Sequence, residues 1–479
     1  MYPLFAPLVA LALVVMALAT SRLDAVHIVL AYLFVTALVL VVHDHRANDG
    51  ISPLLSLQTA LVFALGGALL TLVVGGLGVR TLELAVVLSL LLAFGLAHRS
   101  PRTYLPTALP YLDAFAVLVG VFLYHAREFG AGSGLGLFPV LAGLLLAINL
   151  FVLPRYVPPV EIYRAVALVS GVVSALGITA LVTGDFSIWI LEIRRWDATT
   201  IGLGLPAVRS IFANPNTFGL LAFPGTLASA VLLGRARERS APPERLALPA
   251  IALSLSGAGL YLSNSRASML AAAVALGIYA AVALEGRRAI RGALVAVAVG
   301  VPAFLLALYL SVLPIDPANR FTLWHAGFEA VRHDSGLLGQ GLVGTREALE
   351  PYSTRGESVH SSYLSMFIRA GFLGGVAYAV LVLGPLVGAA RRPERVSVGM
   401  LALSTGFAVH QLFEGYTLFQ FGHGSILGAL AVGYVVAGLA GDDVADGTTS
   451  ETDASESDPR PGPSGHRAFG AWMARNERQ

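Results

Sequence analysis

The chain reads as an all-α, polytopic bundle of membrane-spanning helices, and three observations predict that class. Mean hydropathy is +0.75, with 56% hydrophobic and 13% charged residues over 479 positions, a balance that leaves too little polar surface for a water-soluble domain. Apolar runs of about 17 to 25 residues recur almost end to end as far as Ala440, each long enough to cross a bilayer as a helix. None of these runs shows the short alternating segments of a membrane barrel. A backbone in lipid must also pair its own polar groups, so helices are the natural solution.

Taken in order, the runs define about fourteen spans, at roughly 3–20, 25–43, 54–74, 81–98, 108–126, 136–153, 163–183, 216–234, 247–263, 266–284, 292–313, 361–389, 397–414 and 421–440. The first, from Tyr2 to Ala19, has the length of a signal-peptide core. It lacks a basic leader and is followed at once by another span, so it is expected to be a helix of the bundle. Orientation follows from arginine in the short connections. Alternate links carry Arg46; Arg99 and Arg102; Arg155; Arg235, Arg237, Arg239 and Arg245; Arg287, Arg288 and Arg291; and Arg391, Arg392 and Arg395. These belong in the cytoplasm, which puts both termini inside and segments 184–215, 263–266 and 314–360 outside a plasma membrane.

Three regions result: N-terminal spans over 1–183, a region over 184–440 that holds both long outer loops, and a tail over 441–479. The tail is acidic and polar through Asp458 and then Pro-rich, and its composition predicts disorder. All 31 basic residues are arginine, so their abundance is not itself a signal. Cysteine is absent, which excludes disulfides, thiolate metal sites and cysteine nucleophiles. The outer loops show no Asp-x-Asp pair and no His/Cys cluster, which argues against a tightly bound metal. Nothing points to a cofactor or to nucleic acid. The chain shows no internal repeat of the kind from which transporters are built.

The residues able to carry chemistry gather where the chain turns back inward from the outer side. Arg209 precedes Asn214-Pro215-Asn216, where proline blocks the preceding helix and Asn or Thr starts the next. Arg266 follows Ser263-Asn264-Ser265 in a link of a few residues between two strongly apolar helices. A charge placed there either snorkels to headgroups or faces a cavity, and the polar cluster around it favours an anion. His360 opens the helix at 361–389. Helix N-termini carry unpaired N–H groups and positive dipole character, so three such ends beside cationic or titratable side chains suit a diphosphate.

The loop 314–360 adds Arg320, Arg332, Arg346 and Arg355 on the side where the positive-inside bias does not put them. Arginine holds phosphate with two parallel hydrogen bonds and keeps its proton, and Arg320 beside Trp324 is the strongest of the four for that role. Trp324, Phe328 and Val331 recur at helical spacing, which predicts an interfacial helix with an aromatic anchor. Gly339 and Gly341 allow a tight turn or a close backbone approach. Arg194 and Arg195 beside Trp189 and Trp196 read as an interfacial anchor. His410 and Glu414 share a helix face at i, i+4. Glu414 is thereby placed to orient an acceptor, to stabilise a protonated His, or to pair with an Arg.

Together these residues resemble the O-antigen ligase and O-antigen polymerase superfamily of prokaryotic envelopes. The resemblance covers roughly residues 200–390: Arg209 through the Asn214-Pro215-Asn216 helix start, Ser265-Arg266, Arg320 with Trp324, Gly339-x-Gly341, His360, and Gly371-Phe372-Leu373-Gly374. Two details differ from the family's usual pattern, with Ser361 where Asn commonly follows the histidine and Ala267 where Gly commonly follows the arginine.

The resemblance implies a glycosyltransferase of the C type. Such an enzyme moves glycan from a polyprenyl-diphosphate donor to a glycan, lipid or protein acceptor at the outer face of the membrane, without metal or cofactor. The reaction expected is inverting transfer. Arg266 and Arg209, with Arg320 and Asn216, hold the diphosphate; Arg266 stabilises it as it leaves. His360 positions or deprotonates the acceptor hydroxyl, with Glu414 as the alternative base. A polymerase of the same superfamily needs the same donor site. A polysaccharide or lipid-carrier transporter, which should show charges within its helices, and a scaffold recruiting partners through its tail are the readings from other classes.

Overall fold

A computed structural model describes residues 101–441 except 130–133, 189–190, 201, 203, 241, 314–318 and 355. The four spans expected before residue 100, the tail over 442–479, Trp189 and Arg355 lie outside the described residues. The fold is an all-α membrane bundle. Eight described helices are long and apolar enough to cross a bilayer, and two shorter apolar ones accompany them.

In chain order, α1 is Pro101–Ala126 and α2 is Gly134–Ala147, which continues through a π-turn at Ile148–Val152 into Leu153–Tyr156. Helix α3 is Pro159–Thr183. It is followed by a small antiparallel sheet of β1 (Phe186–Ile188), β2 (Leu191–Thr199) and β3 (Pro206–Ser210). Then come α4 (Pro215–Glu238), α5 (Pro243–Leu262), α6 (Arg266–Glu285) and α7 (Ala289–Tyr309). Two elements occupy the long loop, α8 (Arg320–Ala330) and the short α9 (Thr345–Leu349), and the bundle closes with α10 (Ser362–Arg391), α11 (Val398–Phe413) and α12 (His423–Leu439). The ten spans expected from residue 108 onward coincide with α1–α7 and α10–α12 to within a few residues.

Local sequence explains where these helices begin and end. Pro159 and Pro215 stand at first helical positions, where a missing N–H costs nothing and the ring pre-sets φ. Gly184 and Gly286 end α3 and α6 with positive φ. Helix α12 is apolar all round and almost wholly buried, so it forms the centre against which the other helices pack. Helix α7 is the opposite case: it is strongly apolar, yet Val295, Val299, Leu306 and Tyr309 stay exposed, a face suited to lipid.

Small residues let α3, α4 and α5 approach closely, with Ser170 and Ser174 of α3 facing Gly225 of α4 and Gly259 of α5. At the end of the bundle away from the sheet, Arg287 donates to the carbonyls of Pro393, Glu394 and Val396, and Arg291 to those of Ala390 and Arg391. Arg291 thereby satisfies carbonyls at the C-terminus of α10, where the dipole favours a cation, and Arg287 those of the link that follows.

The sheet is an addition to the sequence reading, which treats 184–215 as a loop. In β2 the residues from Arg194 to Thr199 are all exposed, so the strand carries no period-2 pattern to betray it. Trp324 also departs from expectation. Its ring packs inward, 5.5 Å from Phe321 and 5.9 Å from Phe413, and Phe328 is the exposed aromatic of α8.

Helix α10 is broken. Gly371 has φ 63° and ψ −162°, far from helical values, so the helix restarts after it. The freed backbone groups are taken up by the loop at 336–341. Gln340 and Gly341 N–H donate to Ile368 and Arg369 carbonyls at 2.9 and 2.8 Å, and Phe372 and Leu373 N–H donate to Gly336 and Leu337 carbonyls, both at 3.1 Å. A side chain at Gly339 would collide with the backbone of Arg369 and Gly371, and one at Gly371 would collide with Leu337 and Gly339. The close approach foreseen for the Gly339-x-Gly341 turn is therefore made to another segment of the backbone.

Candidate functional site at the converging helix ends

Seven helix ends meet beside the sheet: the ends of α3, α5 and α11 and the starts of α4, α6, α10 and α12. Direct contacts tie them together. Asn264, after α5, donates to Thr199 O of β2 at 3.1 Å. The His423 Nε2 of α12 lies 3.2 Å from Thr217 O in the first turn of α4. Ser362 at the start of α10 donates to the backbone carbonyls of Glu414 and Tyr416 after α11. A Cβ at Gly219 of α4 would press into the Ser263, Ser265 and Ser268 side chains, so glycine is what lets α4 and α6 start side by side.

The three helix starts singled out in the sequence are capped by their own side chains. Asn214 Oδ1 accepts from Thr217 N at 2.9 Å, Ser265 Oγ from Ser268 N at 3.4 Å, and Ser361 Oγ from Leu364 N at 3.5 Å. Asn214 is thus the cap of α4, and Asn216 is the second residue of the helix, partly buried. Arg209 of β3 donates through Nη1 to Phe212 O and Ala213 O at 3.1 and 3.2 Å, which folds it under the turn leading to that cap. Arg266 is the first residue of α6 and is exposed.

The tightest charged cluster lies between α8, α10 and α11. Arg320 Nη2 donates to Glu414 Oε1 at 2.7 Å, and its Nε donates to Phe413 O at 3.0 Å. The other Glu414 oxygen, Oε2, stands 3.9 Å from His360 Nδ1. That separation is beyond a hydrogen bond and within reach of a direct electrostatic attraction. The Arg320 and Glu414 side chains are only 17% and 12% exposed, so solvent screens the pair little. Burial pushes the Glu414 carboxyl up, but the His360, His410 and Arg320 side chains together outweigh it and hold the carboxyl below its ordinary value of 4.5.

Sequence spacing puts Glu414 on the same helical face as His410, and the structure corrects this. Helix α11 ends at Phe413, and Glu414 is its extended C-cap with φ −134° and ψ 146°. Leaving the helix is what delivers its carboxylate to Arg320 and His360. His410 turns the other way. It is fully buried, and its Nε2 lies 2.9 Å from Ser268 Oγ, which in turn lies 2.9 Å from Ser265 Oγ. This chain links α11 to the first turn of α6, the turn that begins with Arg266. His360 itself has φ 46°, in the left-handed region that favours glycine, and is held there immediately ahead of the Ser361 cap.

Of the residues read from sequence, the structure brings Arg320, His360 and Glu414 into one cluster. It sets Arg266 at the helix start joined to that region through Ser265, Ser268 and His410, and sets Arg209 beneath the α4 cap. Sequence reasoning missed the Ser268–His410 contact, because a pairing across 142 positions leaves no local pattern. It also passed over Arg369, an arginine inside an apolar span, where the charge itself was the available signal. Among the described residues, no group of three His, Cys, Asp or Glu side chains is placed to hold a metal ion.

Residues 251–379 match the family described as O-antigen ligase. The matched stretch runs from within α5 to the middle of α10 and includes Arg266, Arg320 and His360; Arg209, Asn216 and Glu414 fall outside it. No curated protein matches the chain.

Proposed function

We propose that this chain, whose residues 251–379 match the O-antigen ligase family, transfers glycan from a polyprenyl diphosphate to an acceptor hydroxyl at the outer face of the plasma membrane. The observation that carries this reading is Glu414 standing between His360 and Arg320. With Nδ1 turned to the carboxylate, the imidazole presents Nε2 to an incoming hydroxyl, and a carboxylate behind it fixes ring orientation and stabilises the imidazolium that forms. The acceptor oxygen attacks the anomeric carbon from the face opposite the diphosphate. The bond from that carbon to the diphosphate oxygen breaks, its electron pair leaves with the diphosphate, and the hydroxyl proton passes to His360 Nε2.

Arg266, at the start of α6, and Arg209, under the start of α4, supply the positive charge that the leaving diphosphate needs, with Asn216 in the first turn of α4 beside them. Arg320 spends Nε and Nη2 on Phe413 and Glu414 and keeps Nη1 for a phosphate oxygen. In this scheme metal is not required, because arginine takes the role a divalent ion plays elsewhere. The partners are the lipid-linked donor and a glycan, lipid or protein acceptor.

The test is to delete the gene and size the glycans on the lipid carrier and at the cell surface. Full-length glycan stranded on the carrier identifies a ligase, and single repeat units identify a polymerase. Unchanged pools in both places would contradict glycan transfer.

A further inference from the structure

Arg369 lies outside the transfer site and is used by none of its chemistry. It sits in α10 seven residues after the helix start, about 10 Å along the axis, and two residues before the break at Gly371. The guanidinium carbon is 5.3 Å from the Phe122 ring of α1 and 5.8 Å from the Phe138 ring of α2. Among the described residues no carboxylate pairs with it, and its Nε is buried without a hydrogen-bond partner, while part of the side chain remains accessible. Guanidinium does not shed its proton, so the charge has to be answered by something. An unanswered charge within a membrane helix points to a ligand.

Three features describe that ligand. First, Arg369 lies beside the last turn of α1, which ends at Ala126 just beyond Phe122, so it stands near the level where α1 leaves the bilayer and where lipid headgroups lie. Second, the pocket wall is aromatic. Phe122 stacks on Phe419 at 4.9 Å, and Phe138 meets Phe419 and Phe421 at 5.8 and 5.2 Å, which excludes water from one side of the cation. Third, exposed apolar side chains run on from the site along the lipid-facing side of two packed helices: Leu123 and Tyr124 on α1, and Phe372, Leu373 and Val376 on α10. The loop at 336–341 closes the site above, anchored by His125 Nε2 at 2.8 Å from Leu338 O and by Gly341 N–H on Arg369 O.

From this arrangement we infer a second anion site, in which Arg369 binds the phosphate headgroup of a membrane lipid whose chains lie along the exposed apolar side chains of α1 and α10. The site is separate from the donor diphosphate site and does not depend on the transfer reading. Its occupant bridges α1, α2 and α10 at the point where the long loop enters the break in α10. Lipid binding there therefore steadies the loop that carries Arg320 and leads to His360.

The experiment compares two lipids that differ only in the phosphate. Full-length protein in detergent is titrated with dioleoyl phosphatidate or dioleoylglycerol, or with inorganic phosphate, and thermal unfolding is followed. Phosphatidate is expected to raise the wild-type Tm by at least about 3 °C, because a ligand bound only to the folded state stabilises it. Dioleoylglycerol and inorganic phosphate leave it in place. Arg369→Gln removes the phosphatidate response, whereas Arg266→Gln keeps it. An unchanged response in Arg369→Gln overturns the proposal, as does an equal shift with dioleoylglycerol or with inorganic phosphate. If Arg369→Gln does not fold, a photoactivatable phosphatidate on wild-type protein decides. Crosslinks concentrated around Phe122, Phe138 and Phe372 support the site, and crosslinks elsewhere overturn it.

Discussion

Glu414 faces Arg320 and His360 at once, and this sharing sets what each substitution in the cluster does. Arg320→Ala leaves a largely buried carboxylate without its 2.7 Å partner, and a loss of about 3 kcal/mol is expected, the scale of breaking a buried pair. Replacing both groups by apolar ones, as in Arg320→Met with Glu414→Leu, should recover most of that stability and still abolish transfer. A thermal melt of the two proteins beside an activity assay separates the roles. The pH dependence follows in sign. Because the folded-state pKa of Glu414 is lowered from 4.5, its contribution is fully present above that value and lost as pH falls through the lower folded one. Wild-type Tm should therefore drop more steeply than that of Glu414→Gln as pH falls below 4.5; parallel curves would remove Glu414 from the account. Sequence alone showed an acidic residue near the end of α11 and offered Arg as one partner. It did not show that the helix stops one residue short of it, nor that its partner is Arg320, 94 positions away.

Among the elements, α10 is the one whose form depends most on another segment. Its break at Gly371 exposes backbone groups that only the 336–341 loop satisfies, and the two strands of backbone touch where both residues are glycine. Gly371→Ala and Gly339→Ala each combine a collision with a positive φ, and both should lose the folded protein in detergent, read as aggregation on size-exclusion chromatography. Gly277→Ala in α6 is the matched control. Nothing lies within 4 Å of the added methyl, and helix propensity predicts a change of about 1 kcal/mol or less, in the stabilising direction. Both glycine motifs were visible in the sequence, and so were all ten described spans, since apolar length is a local property. The partnership of the motifs was not visible, nor was the sheet, whose longest strand is exposed along six consecutive residues and so resembles a polar loop.

At the scale of the molecule, the account requires the converging helix ends to face outward and the Arg287 and Arg291 end to face the cytoplasm. The chain has no cysteine, so single cysteines report this directly. Ala213→Cys should react with a membrane-impermeant maleimide in intact cells, and Glu394→Cys should react only after permeabilisation; the reverse pattern would invert the proposed topology. The order of helix starts along the chain made the site region legible, because each start carries its own local cap and cation. What sequence could not supply was which elements those starts are joined to, as in the Ser265–Ser268–His410 link from α6 to α11, since those contacts arise only when helices far apart in sequence pack together. Glycan transfer itself is read as turnover by purified protein in proteoliposomes, given a polyprenyl-diphosphate-linked glycan and an acceptor glycan. Wild-type protein should release polyprenyl diphosphate in step with glycan appearing on the acceptor. His360→Ala should lower both by about 100-fold or more while donor binding persists, as expected for loss of a general base, and Arg266→Ala should weaken donor binding itself. Wild-type rates in both variants would contradict the assignment of this cluster as the transfer site.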